Sequence, residues 1–468
     1  MRWSLVIMLL GAAALASAQE SALHAELRRE GERASEACKF SFKALGGCAY
    51  TLFTDHPLHI AAGSMPPQNG FGLGGAFVWS KNTKNWRMSW DVDAVGAFSG
   101  AYRAGGYMKL VHTPHPASNP ITVISPGSTS GPAPSASTSF THPYTVFNFY
   151  AQTISLNKVN FFGLGNDSTL AGKSLFGTQE TIVGASAIKP VYEWGAIRWL
   201  NLALMGEING RFISIRGEHG QSTPSIETLY DNVAAPGLAS QPGFAQLGEG
   251  IRIKPAIGNL QLNYMGKFQQ FFAPSNSQNS FLRWTVDLDH TYSLYGTSRS
   301  VTSDTIGPDS CAPPGQDCPK ILHTRNLNGT IGVRLLVSES LTSGTSVVPF
   351  YFQQTLGGSD LNSASSLSSF QDYRFRAPNV LLLQEKFEHS IWGPFGLTFT
   401  ADQGRVALTR SDLGFSHLKH SFASGITLRA GGFPMVFLMY AWGGGEGQHT
   451  IGSMNTSLLG GGGRPSLY

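Results

Sequence analysis

Residues 379–406 read NVLLLQEKFEHSIWGPFGLTFTADQGRV, two largely apolar runs on either side of a Gly-Pro turn. In the first run Gln384, Lys386 and Glu388 share the more polar face, and in the second run Thr and Asp402 alternate with apolar residues. Successive side chains of a β-strand point to opposite faces of a sheet, so a period of two indicates strands with one polar and one apolar face. The stretch therefore predicts two antiparallel strands joined by a tight turn.

The same alternation recurs from Phe71 onwards. Residues 86–94, WRMSWDVDA, place Trp, Met, Val and Ala on one face and Arg, Ser and Asp on the other. Comparable segments begin near residues 201, 260, 282 and 327. Such alternation suits two architectures: a soluble β-sandwich with its apolar face inside, or a membrane β-barrel with its apolar face outside.

The length and chemistry of these strands favour the barrel. Many run beyond about ten residues, whereas sandwich strands are nearer five or six. The polar faces combine Asn, Gln, Arg, Asp and Glu, as a water-filled lumen requires. We predict an all-β fold, a transmembrane antiparallel β-barrel of the outer membrane with about 16 strands, or about 14 if residues 159–177 hold fewer strands than counted. The side chains predicted to face lipid are Trp86, Trp90, Leu262, Tyr264, Trp284 and Phe437.

Composition agrees with an exported β protein. Charged residues make up 13% of the chain, against about a quarter in soluble domains, while aromatic residues reach 11% and Gly numbers 55. The net charge of +4 is too small to indicate nucleic acid or an acidic partner. Very short connections such as residues 430–433 contrast with long ones at 114–143 and 217–242, which predicts tight turns at one barrel end and long loops at the other.

The first residues have the pattern of a secretory signal. A positive start, an apolar run over residues 5–15 and small residues at 16–18 predict a signal peptide over 1–18, with a retained membrane anchor as the alternative. Residues 19–70 are expected to form a short periplasmic lead-in with helical character, and residues 71–468 the barrel. We expect the protein in the bacterial outer membrane, in contact with its lipid.

No sequence motif indicates catalysis. The chain has no Gly-x-Ser-x-Gly, His-Glu-x-x-His or phosphate-binding Gly loop, so we expect no enzyme, no catalytic residue, no cofactor and no metal. Residues 443–447, GGGEG, are expected to be a flexible loop tip. The close pairs Cys38–Cys48 and Cys311–Cys318 predict two local disulfides, since an exported protein meets oxidising conditions.

Several ordered motifs resemble one family of barrels. Residues 161–168 (FFGLGNDS), 356–360 (LGGSD), 372–376 (DYRFR), 379–394 and 399–406 are similar to segments of the bacterial surface antigen superfamily, the outer-membrane assembly-factor and two-partner-secretion barrels. The resemblance implies a barrel-only member acting in protein insertion or export. Its implied partners are outer-membrane lipid and unfolded or secreted protein substrates, with no nucleic acid and a monomeric barrel. The alternative is a passive pore or structural barrel without translocase activity.

The resemblance also implies a site inside the barrel. The family's signature loop enters the lumen, where the Arg of an Arg-Gly-aromatic tripeptide pairs with acidic residues of the wall. The residues that match this loop motif are Gly357, Gly358, Ser368, Ser369, Phe370, Asp372, Tyr373 and Arg374. The tripeptide positions here are 368–370, so its Arg and Gly are missing. We expect residues 338–377 to enter the lumen, because their many aromatic residues do not suit a solvated loop.

One of the two wall positions differs in charge from the family that the sequence resembles. Lys386 stands where the family has an acidic residue, whereas Asp402 keeps the acidic residue of the next strand. An unpaired carboxylate in a partly dry lumen is costly, so we predict an ion pair between Lys386 and Asp402, with Lys386 opposite Thr400 and Asp402 diagonal to it. The alternative is that both face lumen water. Glu385 falls on the lipid-facing side of the same strand.

Overall fold

A computed structural model describes residues 58–112, 144–191, 200–218, 221–303, 321–392, 395–430, 433–454 and 465–466. The predicted signal peptide, most of the predicted lead-in and all four cysteines, Cys38, Cys48, Cys311 and Cys318, lie outside these residues. The predicted cleavage and the two predicted disulfides therefore stay predictions. Within the described ranges no helix is long and apolar enough to cross a membrane.

Long strands dominate the described chain. Their bounds, in chain order, are β1 Leu58–Ser64, β2 Phe71–Asn82, β3 Trp86–Ala97, β4 Tyr102–His112, β5 Val146–Phe161, β6 Ser174–Pro190, β7 Ala203–Gly217, β8 Phe244–Ile253, β9 Ala256–Ile257, β10 Leu260–Phe272, β11 Phe281–Ser303, β12 Ile321–Leu341, β13 Gln354–Leu356, β14 Phe375–Ala377, β15 Asn379–Trp392, β16 Phe395–Ala407, β17 Lys419–Ala430, β18 Phe433–Trp442 and β19 His449–Met454. A short α-helix, Ile226–Leu229, lies between β7 and β8.

Among the described residues, seventeen strands form one antiparallel sheet, and β13 and β14 form a separate two-stranded sheet. One of the seventeen, β9, is only two residues long and pairs with β10. The other sixteen are the principal strands of the barrel, the number predicted. The sheet curls until its edge strands, β1 and β19, have Cα atoms within 8 Å of each other. No register of paired residues joins β1 to β19 within the described ranges. We call this junction the seam.

The barrel begins before Phe71, where the sequence predicted it to start. β1 pairs with β2 along its whole length, from Leu58 opposite Phe77 to Ser64 opposite Phe71. The sequence LHIAAGS has little polar–apolar contrast, so alternation gave no sign of a strand in this part of the predicted lead-in.

Strand β7 shows which face of the sheet lies outside. Leu204, Ile208 and Phe212 are exposed, with Ile208 at 59%, whereas Asn209 and Arg211 on the alternate face are buried. Apolar residues thus face outwards and polar residues face inwards, the reverse of a soluble sandwich. Exposed apolar side chains recur on the outer faces of other strands, among them Leu73, Val92, Phe149, Val183, Leu247, Ile331, Phe399, Ile426 and Leu438.

Five of the six side chains predicted to face lipid lie on this outer face, namely Trp86, Trp90, Leu262, Tyr264 and Trp284. The prediction for Phe437 is wrong. Phe437 lies opposite the buried Thr427 and lines interior cavities, while its neighbour Leu438 is 58% exposed. Residues 435–440 are apolar throughout, so the pattern could not say which face of β18 is outside. Glu385 lies on the outer face of β15, between Val333 and Ala401, as predicted.

The predicted asymmetry of the connections is only partly correct. Because neighbouring strands are antiparallel, β7 ends and β8 begins at one end of the barrel. At the other end β4 ends and β5 begins, and the tight β15–β16 turn lies at that same end. The strands that flank the long segments 217–242 and 114–143 therefore end at opposite ends of the barrel. Connection length alone does not reveal the end, because the end follows from the number of strands that precede each connection.

Candidate functional site inside the barrel

The segment between β12 and β15, residues 342–378, turns into the barrel, and we call it the lumen loop. Its predicted aromatic residues are all buried, namely Phe350, Tyr351, Phe352, Phe370, Tyr373 and Phe375. Phe350 packs edge-on against Phe161 of β5 and Phe176 of β6, with ring centroids 5.4 and 5.2 Å apart. Phe352 meets Phe244 of β8 at 4.8 Å. The loop thus fills one part of the interior, which confirms that it enters the lumen.

A pair of glycines folds the lumen loop back on itself. Gly357 and Gly358 have φ angles of 105° and 60°, in the region that favours glycine. A Cβ on Gly358 would stand 2.7 Å from the Cα of Asp372. The N–H of Tyr373 donates to the Gly357 carbonyl at 3.0 Å, and the N–H of Ser366 donates to the Gly358 carbonyl at 2.9 Å. The Gly pair therefore joins the two halves of the loop.

The loop tip is docked onto the wall through main-chain amides. The N–H of Leu367 donates to Asp402 Oδ2 at 2.8 Å, and the N–H of Ser369 donates to Ser421 Oγ at 2.8 Å. Gln384 Nε2 donates to the other carboxylate oxygen of Asp402 at 3.2 Å. Ser368, Ser369 and Phe370 are buried. The acidic wall residue that the resemblance pairs with a loop arginine is here satisfied by the loop backbone.

The predicted ion pair between Lys386 and Asp402 is wrong. The strand register is as expected, with Lys386 opposite Thr400, but the Lys386 ammonium pairs with Glu388 at 2.6 Å. Asp402 needs no cation, because Gln384 and the Leu367 amide already occupy its two oxygens. The carboxylate of Glu388, two residues along the same face, is the partner that Lys386 takes.

Arg374 is the most highly connected residue of the loop motif. Its Nε and Nη2 donate to the Glu446 carboxylate at 2.7–2.9 Å, and its Nη1 and Nη2 donate to Oγ and the carbonyl of Ser168 at 2.7 Å. Its guanidinium also lies over the rings of Phe162 and Phe375, at 5.0 and 4.6 Å. Arg374 thus joins three segments: the lumen loop, the 161–168 motif and the β18–β19 connection.

The sequence does not reveal the role of Glu446, because the GGGEG run 443–447 predicts a flexible loop tip. The acidic residue among glycines was the available signal. A second link to the 161–168 motif was also missed: the N–H of Gly165 donates to the Arg376 carbonyl at 2.8 Å. Arg376 Nη1 in turn donates to the Phe350 carbonyl at 2.8 Å, which fixes the aromatic turn of the loop.

A cavity of about 800 Å³ lies between the lumen loop and the seam. Its lining includes Met65 after β1, Ile451 of β19, and Phe370 and Asp372 of the loop. Burial raises the pKa of the Asp372 carboxyl, and the N–H of Ser359, which donates to Oδ1 at 3.0 Å, opposes that rise. The lumen loop therefore forms one wall of a space that both edge strands border.

A second interior cavity, of about 480 Å³, lies on the other side of the loop. Charged and polar side chains line it, including Arg334, Lys386, Glu388 and Asp402. Across the described ranges, no group of three or more His, Cys, Asp or Glu is placed to hold a metal ion.

Comparisons with known proteins find similar solved structures, among them CdiB and BamA. No protein-family model and no curated protein matches the chain. CdiB from Acinetobacter baumannii aligns with a TM-score of 0.43 and 10% identity over 86% of this chain and 58% of its own. BamA from Haemophilus ducreyi, lacking POTRA domains 1–3, aligns with a TM-score of 0.47 and 11% identity over 85% of this chain and 69% of its own.

The chain thus spans less than two thirds of the CdiB chain. With TM-scores below 0.5 and identities near one residue in ten, neither likeness carries an argument about function. The barrel architecture rests on the strand pairing itself.

Proposed function

We propose that this protein is an outer-membrane β-barrel that acts in the insertion or export of other proteins. The observation that carries the proposal is the seam. β1 has its ladder with β2, and β19 has its ladder with β18. Within the described residues the facing edges of β1 and β19 share no ladder. The edge of a sheet presents N–H and C=O groups with which an incoming strand can pair.

The outer surface supports a place in a lipid bilayer. Leu73, Val92, Ile208 and Leu438 are each more than half exposed on outward faces, and an apolar belt of this kind needs hydrocarbon around it. Because bacterial barrels of this size belong to the outer membrane, that is the location we propose.

The lumen loop supports a role that involves the seam. Met65 and Ile451, on its two sides, share their cavity with the loop residues Phe370 and Asp372. A strand that enters the seam would therefore meet the loop directly. The substrates proposed are unfolded or newly exported polypeptides that present an extended strand.

A passive pore or structural barrel is the second candidate. The charged lining of the smaller cavity, which includes Arg334 and Lys386, favours it because a polar lumen conducts ions. Against it, the aromatic turn at 350–352 is fully packed within the barrel.

Two measurements separate the candidates. Depletion of the protein in its own cells should lower the folded fraction of other outer-membrane proteins, and purified protein in a planar bilayer should show only small conductance. Large, steady conductance together with unchanged outer-membrane proteins would establish the passive pore instead.

A further inference from the structure

The last described residues lie against the inner wall of the barrel, far from the strand that precedes them. β19 ends at Met454, whereas the carbonyl of Ser466 accepts a hydrogen bond from Arg211 Nη2 of β7 at 2.8 Å. Strands β1 to β6 separate β7 from the seam. Arg211 faces inwards and is fully buried, and Pro465 is buried as well. Residues 465–466 thus lie inside the lumen, against a wall far from β19.

The wall holds Arg211 in one orientation. Its Nε donates to Gln246 Oε1 at 2.6 Å and to Asn209 Oδ1 at 3.2 Å, and its Nη1 donates to Glu180 Oε1 at 2.8 Å. These contacts hold the guanidinium plane independently of the hydrogen bond that Nη2 donates to the Ser466 carbonyl. Since a guanidinium carries five N–H donors and a main-chain carbonyl is an acceptor, the wall presents a prepared donor to a peptide backbone.

The surrounding charge suits a basic peptide. Glu207 lies beside the arginine, where its Oε1 accepts from Tyr150 Oη at 2.8 Å and from Asn209 Nδ2 at 3.1 Å. Glu180 and Glu207 together outnumber the single Arg211. In the sequence, Arg464 directly precedes Pro465. Pro465 has no N–H, so its burial leaves no amide donor without a partner.

We propose that the patch formed by Glu180, Glu207, Asn209, Arg211 and Gln246 is a binding site for an extended peptide, and that the chain's own C-terminal segment occupies it. We call this set the Arg211 patch. It recognises a main-chain carbonyl through Arg211 and favours a basic residue through its two glutamates. The C-terminal segment is thereby an internal occupant of the lumen. This inference requires the barrel interior and does not depend on protein insertion or export.

The first test measures how readily residue 466 leaves the lumen. Ser466→Cys is labelled, in folded detergent-solubilised protein, with a maleimide on a polymer too large to enter the barrel. Arg211→Gln should raise the labelling rate about tenfold, the factor expected for the loss of one charge-assisted hydrogen bond. Arg334→Gln is the matched control, since Arg334 is a lumen arginine held by Asp287 and Gln384. Equal rates in Arg211→Gln and its parent would overturn the proposal.

The second test keeps Arg211 intact and so does not depend on the folding of that variant. A chain lacking residues 464–468 is mixed with a fluorescent peptide of sequence RPSLY, and binding is followed by anisotropy. The truncated barrel should bind the peptide at least about tenfold more tightly than the full chain, whose own segment competes. Replacing the Arg of the peptide by Glu should weaken binding. Equal binding by the truncated and full chains, or equal binding of both peptides, would contradict the proposed site.

Discussion

Arg374 and Glu446 form a bidentate ion pair, with N–O distances of 2.7–2.9 Å, that ties the lumen loop to the connection before the edge strand β19. The arginine is almost fully buried and the glutamate side chain is 17% exposed. Two parallel hydrogen bonds stabilise this pair in addition to the attraction between the charges, because the planar guanidinium matches both carboxylate oxygens. It gives the interior loop a direct connection to the seam.

Removal of either partner should destabilise the barrel. Arg374→Ala is expected to lower the free energy of unfolding by up to about 3–5 kcal/mol, since it removes the almost fully buried partner of a carboxylate that is itself only 17% exposed. The double variant Arg374→Ala with Glu446→Ala should lose less than the sum of the single losses in denaturant titrations. The pair Arg410–Glu339 serves as control because its arginine is 58% exposed, and Arg410→Ala should cost less than Arg374→Ala. Strict additivity of the Arg374 and Glu446 losses would show that the pair is not coupled.

Asp402 should depend on the loop backbone and not on Lys386. Asp402→Ala removes the acceptor of the Leu367 amide and of Gln384, so we expect a loss of about 1–3 kcal/mol in unfolding free energy. Lys386→Ala should change the free energy of unfolding by the same amount in the native protein as in the Asp402→Ala variant. A clear difference between those two values would reveal a Lys386–Asp402 interaction that the geometry does not contain.

The glycine turn of the lumen loop should tolerate no side chain. Gly358→Ala places a Cβ 2.7 Å from the Asp372 Cα at a φ of 60°. Gly344→Ala is the matched control, since Gly344 has a φ of 57° and open space around the added Cβ. Gly344→Ala should cost about 1 kcal/mol from backbone strain alone, and Gly358→Ala should cost more. Equal melting temperatures for the two variants would contradict the proposed close packing.

The cysteine pairs are tested by chemistry. If Cys38–Cys48 and Cys311–Cys318 are disulfides, thiol labelling of the unreduced, denatured protein should find no free cysteine. The same protein after reduction should label at all four positions, which provides the control. Two or more labelled cysteines before reduction would reject the pairing.

The sequence predicted the barrel well wherever each strand has a polar and an apolar face. β7 is such a case, since Ile208 and Arg211 differ in both chemistry and exposure. It failed where that contrast vanishes: β18 is apolar on both faces, so Phe437 was placed outside, and β1 was missed because it is built of small residues. The alternation of side chains shows which face of a strand points outwards only when the lipid-facing and lumen-facing sides carry chemically different residues.

The site was harder to predict because its main contacts use the backbone. The buried loop aromatics were predictable from composition, as Phe350 and Phe370 show. The amide of Leu367 has no signature in the sequence, so the sequence pattern indicates a side-chain cation for Asp402, and Lys386 is the nearest candidate on the neighbouring strand. The partners of Arg374 and Arg211 lie far away in the chain, and a single sequence does not show such distant pairs.

The most direct measurement of the central claim is the activity of a barrel whose seam is locked. Met65→Cys with Ile451→Cys places one thiol on each side of the seam cavity, where a cleavable bifunctional thiol reagent can bridge them. Ser80→Cys with Ser89→Cys, on the paired strands β2 and β3, is the control. The account predicts that bridging the seam lowers the folded fraction of other outer-membrane proteins in cells and that cleavage of the bridge restores it, while the control pair has no effect. Undiminished folding of those proteins with the seam fully bridged would contradict a function at the seam.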